Sequence, residues 1–314
     1  MAKKRTMSSD KHRKQRAYVM LILAAALWGF NFVFQKKGES AGTFTFSTMR
    51  MLIASAALGP VLLIRRKSRK SGAERIPAKE TLRGGLLCGI FYFIGIVMQQ
   101  AGLAYLSVGR SGFICASYTV MVPFLAVLFG KKVSKNAWIG AFLCIGGLYL
   151  LCAPGTGGGG IGLGEVLTLI GAFGCAMQII AIDRFAEKID GIALSFAQSL
   201  TAAVLGLPLM FMIDHPTWDS ILSVLPSLLY VGVAATAAAY PLQAAGQKEV
   251  GPAEASITIS LESVFSVIAG AVFLNERMRL LQYAGCALIF AAAVLAQLPG
   301  RQGKAQLPGK KPGK

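Results

Sequence analysis

Two ionisable residues sit where a polar solvent cannot reach easily. Glu262 lies in the middle of one long apolar run and Arg50 lies inside another. Charged groups at membrane depth are costly, and they usually line a cavity or pair with one another. A carboxylate in that setting can bind a cationic group or exchange a proton. A guanidinium can hold a carboxylate, neutralise Glu262, or simply snorkel to the interface. Glu254, Thr258 and Glu262 follow a four-residue spacing and share one helical face. Glu254 falls near the start of that helix, where a solvated carboxylate at the cap is the simpler role. The amides Asn31, Gln99, Gln100, Gln178, Gln198 and Gln243 interrupt other apolar runs, and Trp28, Tyr118 and Tyr240 add rings with polar handles. Such groups orient a small molecule in an apolar cavity; taken singly, an amide is as well explained as glue between helices. From this set Trp28, Asn31, Arg50, Gln99, Gln100, Tyr118, Gln178, Tyr240 and Glu262 form the candidate substrate pathway.

Catalytic chemistry finds no comparable support. Gly109, Arg110, Ser111 and Gly112 fit the short GxSG pattern of intramembrane serine proteases, which need a histidine base close by. The chain has only His12 and His215, in a tail and a loop. Its six cysteines are scattered through apolar runs without a CxxC pair, which reads as packing rather than disulfides or a metal site. No GxxxxGK[ST] loop is present to cradle ATP. Catalytic residues, metal and cofactor are therefore expected to be none.

The elements that must carry these residues follow from composition. The 314 residues are 54% hydrophobic and 15% charged, with mean hydropathy +0.59 and formal net charge +18. Soluble domains carry about a quarter charged residues, and disordered chains are poor in apolar ones. Ten runs are long enough to cross a bilayer, near 17–35, 44–64, 84–105, 110–129, 136–153, 163–182, 192–213, 224–246, 252–274 and 279–298. Backbone in lipid must satisfy itself, so these runs are read as helices. The first has a basic lead-in like a signal peptide, but its apolar stretch is longer than a signal core, so it is read as an uncleaved helix. Pro123, Pro208 and Pro241 fall inside runs and can kink them.

Basic residues orient the chain. Seven lie in 1–16, eight in 65–83, five in 299–314, and six more at 131, 132, 135, 184, 188 and 248, placing 26 of the 32 on one side. Only Lys36, Lys37, Arg110, Arg277 and Arg279 fall on the other. By the positive-inside rule both termini are expected in the cytoplasm of a multi-pass inner-membrane protein. The basic tails then contact lipid headgroups, and no nucleic-acid partner is expected.

The chain also resembles itself. Residues 109–151 correspond to 251–296, each with a polar helix start, an apolar helix, a short charged turn and a glycine-bearing last helix, so that Gly140 matches Gly285. Leu27, Trp28, Gly29 and Phe30 likewise match Ala172, Phe173, Gly174 and Cys175. Five helices per half make the second half start on the opposite side, an inverted repeat.

Trp28, Gly29, Phe30, Asn31, Phe32 and Val33 resemble the first-helix motif of the drug/metabolite transporter superfamily. The stretch 99–151, beginning QQAGLAYLSVGRSG, is similar to the EamA-type signature, and 261–296, beginning LESVFSVIAG, looks like its second copy. Ser263 departs from the proline that many members carry after the glutamate. The resemblance implies an all-α membrane protein of ten transmembrane helices in two inverted five-helix repeats, with a basic tail at 1–16, repeats at 17–155 and 156–298, and a second tail at 299–314. It implies an EamA-type permease that moves a small metabolite, commonly an amino acid or related compound, outward by alternating access. Small-molecule substrate and lipid bilayer are the expected partners, and a homodimer is open to it. A passive channel would use the same residues, and a membrane-embedded enzyme is the remaining rival.

Overall fold

The computed structural model describes residues 2–68, 78–106, 108–151, 162–274 and 280–297. Among them the secondary structure is helical throughout, with no strand. The first half holds α1 (Ala2–Lys37), α2 (Thr43–Ser68), α3 (Ala78–Leu103), α4 (Val108–Cys115), α5 (Tyr118–Leu128) and α6 (Lys135–Leu151). The second holds α7 (Leu163–Ala186), α8 (Gly191–Leu209), α9 (Trp218–Ser223), α10 (Leu225–Leu229), α11 (Ala239–Val250), α12 (Pro252–Ile259), α13 (Glu262–Leu274) and α14 (Leu280–Gln297). π-helical stretches extend α8 through Met210–Asp214 and join α10 to α11 through Tyr230–Ala238.

Seven helices among the described residues are long and apolar enough to cross a membrane: His12–Lys37, Thr43–Arg65, Ala78–Leu103, Leu163–Ala186, Gly191–Asp214, Leu225–Val250 and Pro252–Phe273. The other three expected runs differ. The run at 110–129 is divided between α4 and α5, and those at 136–153 and 279–298 appear as the shorter α6 and α14. Large apolar side chains such as Phe142 and Phe290 stand about 60% exposed on the outside of the bundle, as lipid-facing residues would. The basic stretch expected as a tail at the N-terminus is continuous with α1. The C-terminal tail and residues 69–77 of the basic 65–83 segment lie outside the described residues.

The breaks have local causes. Between α4 and α5 the ladder shortens, with Ser117 N–H donating to Ile114 and Thr119 N–H to Ala116, and Pro123 removes the donor that Thr119 would meet. Between α12 and α13, Leu261 N–H donates to Thr258 and Ser263 N–H to Ser260 in the same tightened manner. The second break therefore forms without the proline that Ser263 replaces. Pro208 and Pro241 each border one of the π-helical stretches, since a proline cannot donate back into the preceding turn.

The two halves interleave rather than standing apart. α3 packs most extensively on α7 and α8, α6 on α14, α1 on α11 and α13, and α2 on α8. Glycine permits the closest of these approaches. A Cβ at Gly174 of α7 would lie 2.7 Å from the Gly95 nitrogen of α3, and one at Gly171 would lie 2.9 Å from the Gln99 nitrogen. One at Gly147 of α6 would come 2.8 Å from the Gly285 carbonyl oxygen of α14. Because the atoms met are backbone, Gly174→Ala must push α3 and α7 apart. Overpacking costs about 1–3 kcal/mol, so its melting temperature is expected several degrees below the parent's; an unchanged value would remove this contact from the fold's stability.

Candidate functional site

The two helix breaks face each other across the centre of the bundle. Tyr118 opens α5 and Glu262 opens α13, and the Tyr118 hydroxyl donates to Glu262 Oε1 at 2.9 Å. Both side chains are buried, Glu262 to 7% exposure. Discontinuous membrane helices that meet at mid-depth are a recurrent way to build a solute site.

Arg50, two turns into α2, is 1% exposed. Its Nε and Nη2 donate to Thr236 Oγ1 at 3.3 and 3.2 Å, and its Nη1 is buried with no partner. Thr236 sits in the π-helical stretch and donates its own hydroxyl to the Val231 carbonyl. The same irregular backbone offers the Ala235 carbonyl to Trp28 Nε1 at 2.7 Å. Trp28 packs against Tyr240, ring centroids 4.9 Å apart, and Tyr240 against Tyr92 at 4.7 Å. No ion pair joins Arg50 to Glu262: each charge is held by a neutral hydroxyl.

Both charges line a central cavity of about 50 Å³. Trp28, Asn31, Gln99, Tyr118, Gln178 and Tyr240 also border it, so eight of the nine sequence candidates converge there. Gln100 does not. Consecutive helical residues point about 100° apart; with Gln99 turned inward, Gln100 turns toward α1 and donates to the Gln35 carbonyl at 3.4 Å. Gln178 donates to Gln198 at 3.2 Å, which ties α7 to α8. Asn31 Oδ1 and Gln243 Oε1 remain buried without a partner. Unsatisfied buried polar atoms are costly, and both of these residues border the cavity. Sequence reasoning passed over Thr236, whose Ala-rich setting reads as simple helix, and Cys115 and Cys175, which also line the cavity. Pro241 was the available sign that the helix before it is irregular. Glu254 is half-buried in the first turn of α12, apart from the cavity.

Ser111, from the protease-like pattern, is fully buried and its hydroxyl engages no partner, so no base is aimed at it.

Ion pairs between the halves cluster at one end of the bundle. Arg13 meets Glu249 at 2.9 Å, Arg65 meets Asp190 at 3.4 Å and Lys131 meets Asp183 at 2.7 Å. This is the end richest in basic residues. Gly130, at φ +77, lets the chain turn sharply after α5 before Lys131 reaches across to α7. At the opposite end Asp214 accepts the Thr45 N–H at the start of α2 at 2.6 Å. The Asp183→Asn, Asp190→Asn, Glu249→Gln triple variant is expected to melt a few degrees below the parent at low salt. Each pair is partly exposed and contributes at most about 1 kcal/mol, so the gap should close in 1 M salt. A gap that persists in high salt would mean that the pairs do not act electrostatically.

Helices of membrane-crossing length, interleaved halves and a small cavity bordered by polar side chains between broken helices are those of a multi-pass membrane protein with an internal site. The EamA-like transporter family matches residues 15–153 and again 162–298, and the chain belongs to that family. An uncharacterized transporter of Archaeoglobus fulgidus is 29% identical over 281 residues, 88% of this chain and 84% of that one. A second from the same organism is 27% identical, covering 90% of this chain and 99% of its own length. The uncharacterized transporter YwfM of Bacillus subtilis is 27% identical, covering 92% and 96%. A crystal structure at 18% identity superposes with a TM-score of 0.72 over 89% of this chain and 96% of that one, a likeness of fold.

Proposed function

We propose that this EamA-family transporter exports an amino acid or a related zwitterion across the inner membrane by alternating access. Ten crossings in two inverted five-helix repeats, with both termini in the cytoplasm, complete the reading. One observation carries it: a guanidinium and a carboxylate border the same central cavity without pairing, each tethered by a neutral hydroxyl. Two opposite charges held apart in a site of low polarity complement a ligand that carries both. The ligand's carboxylate would occupy the free Nη1 of Arg50, and its ammonium would meet Glu262. Trp28 and Tyr240 would wall the apolar part of the ligand, with Tyr92 packed behind Tyr240.

The cavity's size supports a cycle rather than an open channel. About 50 Å³ holds a few waters, whereas pockets for small ligands run to about 300 Å³ and above. Ion pairs close one end of the bundle and the Asp214–Thr45 bond joins the halves at the other, so loading requires the halves to part. Protonation of Glu262 would cancel its attraction for the ammonium and couple release to a proton.

A thermal-shift screen of the purified protein against amino acids, their methyl esters, simple amines and nucleosides tests the reading. Ligands that bind the folded state raise its melting temperature. Free amino acids should stabilise by several degrees, while esters that lack the carboxylate should do little. Stabilisation by nucleosides or by amines alone, with none from amino acids, would overturn the zwitterion assignment.

A further inference from the structure

A second cavity, of about 320 Å³, lies at the end of the bundle richest in basic residues and shares no lining residue with the central one. Its walls come from the start of α1, the turn from α7 to α8 and the end of α11. The volume falls in the range of small-molecule sites, about 300–1,000 Å³. Its depth follows from the membrane-crossing segments. Arg13 and Arg16 stand in the first two turns of His12–Lys37, and Ala186 closes Leu163–Ala186. Gly191 opens Gly191–Asp214, and Lys248 and Glu249 fall in the last turn of Leu225–Val250. All four helices therefore meet the cavity where they leave the apolar layer, at headgroup level. The walls are already in contact: a Cβ on Gly246 of α11 would lie 2.8 Å from the Ala17 carbonyl oxygen of α1, and one on Gly191 would lie 3.3 Å from the Ala244 Cβ.

The charges on the rim do not balance. Glu249 is engaged by Arg13 at 2.9 Å and Asp190 by Arg65 at 3.4 Å. Arg16 on α1 and Lys248 on α11 are exposed, and among the described residues no ion pair holds either of them. Deeper in the cavity the lining turns apolar, through Ala17, Met20, Ile189 and Ala244. Outside it, Val19 and Leu23 continue the Arg16 face of α1 three and seven residues on, at 56% and 51% exposure. A cationic rim above an apolar floor, beside a stripe that faces lipid, suits an anion with an apolar body better than a soluble one. We propose that this cavity binds the headgroup of an anionic phospholipid, with Arg16 and Lys248 on the phosphate and the acyl chains along Val19 and Leu23. The planar guanidinium fork matches phosphate oxygens, and the ammonium adds a compact charge from the opposite wall. A seated lipid bridges α1 of the first half to α11 of the second, next to the Arg13–Glu249 pair.

The test uses the full chain, delipidated in detergent and then given phosphatidylglycerol, phosphatidylcholine of the same acyl chains, or glycerol phosphate alone. Phosphatidylglycerol should raise the melting temperature by several degrees, and native mass spectrometry should find one such lipid retained per chain. Phosphatidylcholine and glycerol phosphate should each do little. The Arg16→Gln, Lys248→Gln double variant should bind phosphatidylglycerol roughly 30-fold more weakly, the combined effect of two basic groups at the membrane surface. Its melting temperature without lipid should match the parent's, because neither residue is in an ion pair. Lys310→Gln, Lys311→Gln removes the same charge from the C-terminal tail and should respond as the parent does. Ala245→Leu keeps every charge but fills the cavity that Ala245 lines; it should lose the retained lipid, a readout that serves even if the double variant folds poorly. An equal shift with phosphatidylcholine, a full shift with glycerol phosphate alone, an unchanged response in the double variant or in Ala245→Leu, or an equal loss in the tail variant would overturn the proposal.

Discussion

Arg50→Met is expected to abolish the thermal response to amino acids, weakening binding about 100-fold, while leaving the melting temperature of the unliganded protein unchanged or higher. The two halves of that expectation share one cause. In the unliganded protein Arg50 is a buried charge held only by Thr236, with Nη1 left over. Replacing such a group with an apolar side chain of similar volume is often neutral or stabilising. A bound carboxylate, by contrast, would lose its charged partner while remaining in the same poorly hydrated space, and about 3 kcal/mol, or about 100-fold, follows from breaking a buried pair. A ligand response equal to the parent's would show that Arg50 is structural. A sharp fall in melting temperature would show that the Thr236 contact, rather than a ligand, is what Arg50 serves. Both measurements come from one set of melting curves.

Glu262→Gln is the second large effect. Glutamine keeps an oxygen for the Tyr118 hydroxyl and nearly the same volume, so packing is preserved while charge and proton exchange are lost. In proteoliposomes the variant should bind the substrate at least about 10-fold more weakly, the scale of a lost charge-assisted contact. Its accumulation driven by a pH gradient should fall to the level seen without a gradient. Uptake equal to the parent's, with and without the gradient, would remove Glu262 from the mechanism. Tyr118→Phe separates the two roles: it should weaken binding by less than Glu262→Gln does and leave the gradient effect in place.

The residues that converge on the cavity were visible because a polar side chain in an apolar run has few places to go. Arg50, Glu262, Asn31, Gln99 and Gln178 could not face lipid cheaply, so they faced one another. Gln99 and Gln100 show the limit of that argument. The same residue type occurs twice in succession, and only the rotational phase of α3 against α7, set by Gly95, Gly171 and Gly174, decides which turns inward. Thr236 was hidden because a π-helical stretch shifts its hydroxyl relative to an ideal helix, and an alanine-rich sequence does not announce that shift. The three ion pairs between halves were also beyond reach, since Arg13 and Glu249 are brought together by the crossing of α1 and α11. Ten apolar runs were counted from length alone, whereas the described helices show that two of them break, at Ser117 and at Ser260–Leu261, and two others are short.

The interleaving of the halves bears on how the chain is made. α3 leaves the ribosome with glycine-lined grooves shaped for α7 and α8, which have not yet been synthesised. The first half therefore waits in the bilayer with its best partners missing, and α6 waits likewise for α14. Assembly is completed only when the last helix is inserted, so a chain that stops after α6 lacks the main packing partners of α3 and α6. Such a truncated product would carry unfilled glycine faces on α3 and, on α2, an arginine that still lacks its threonine.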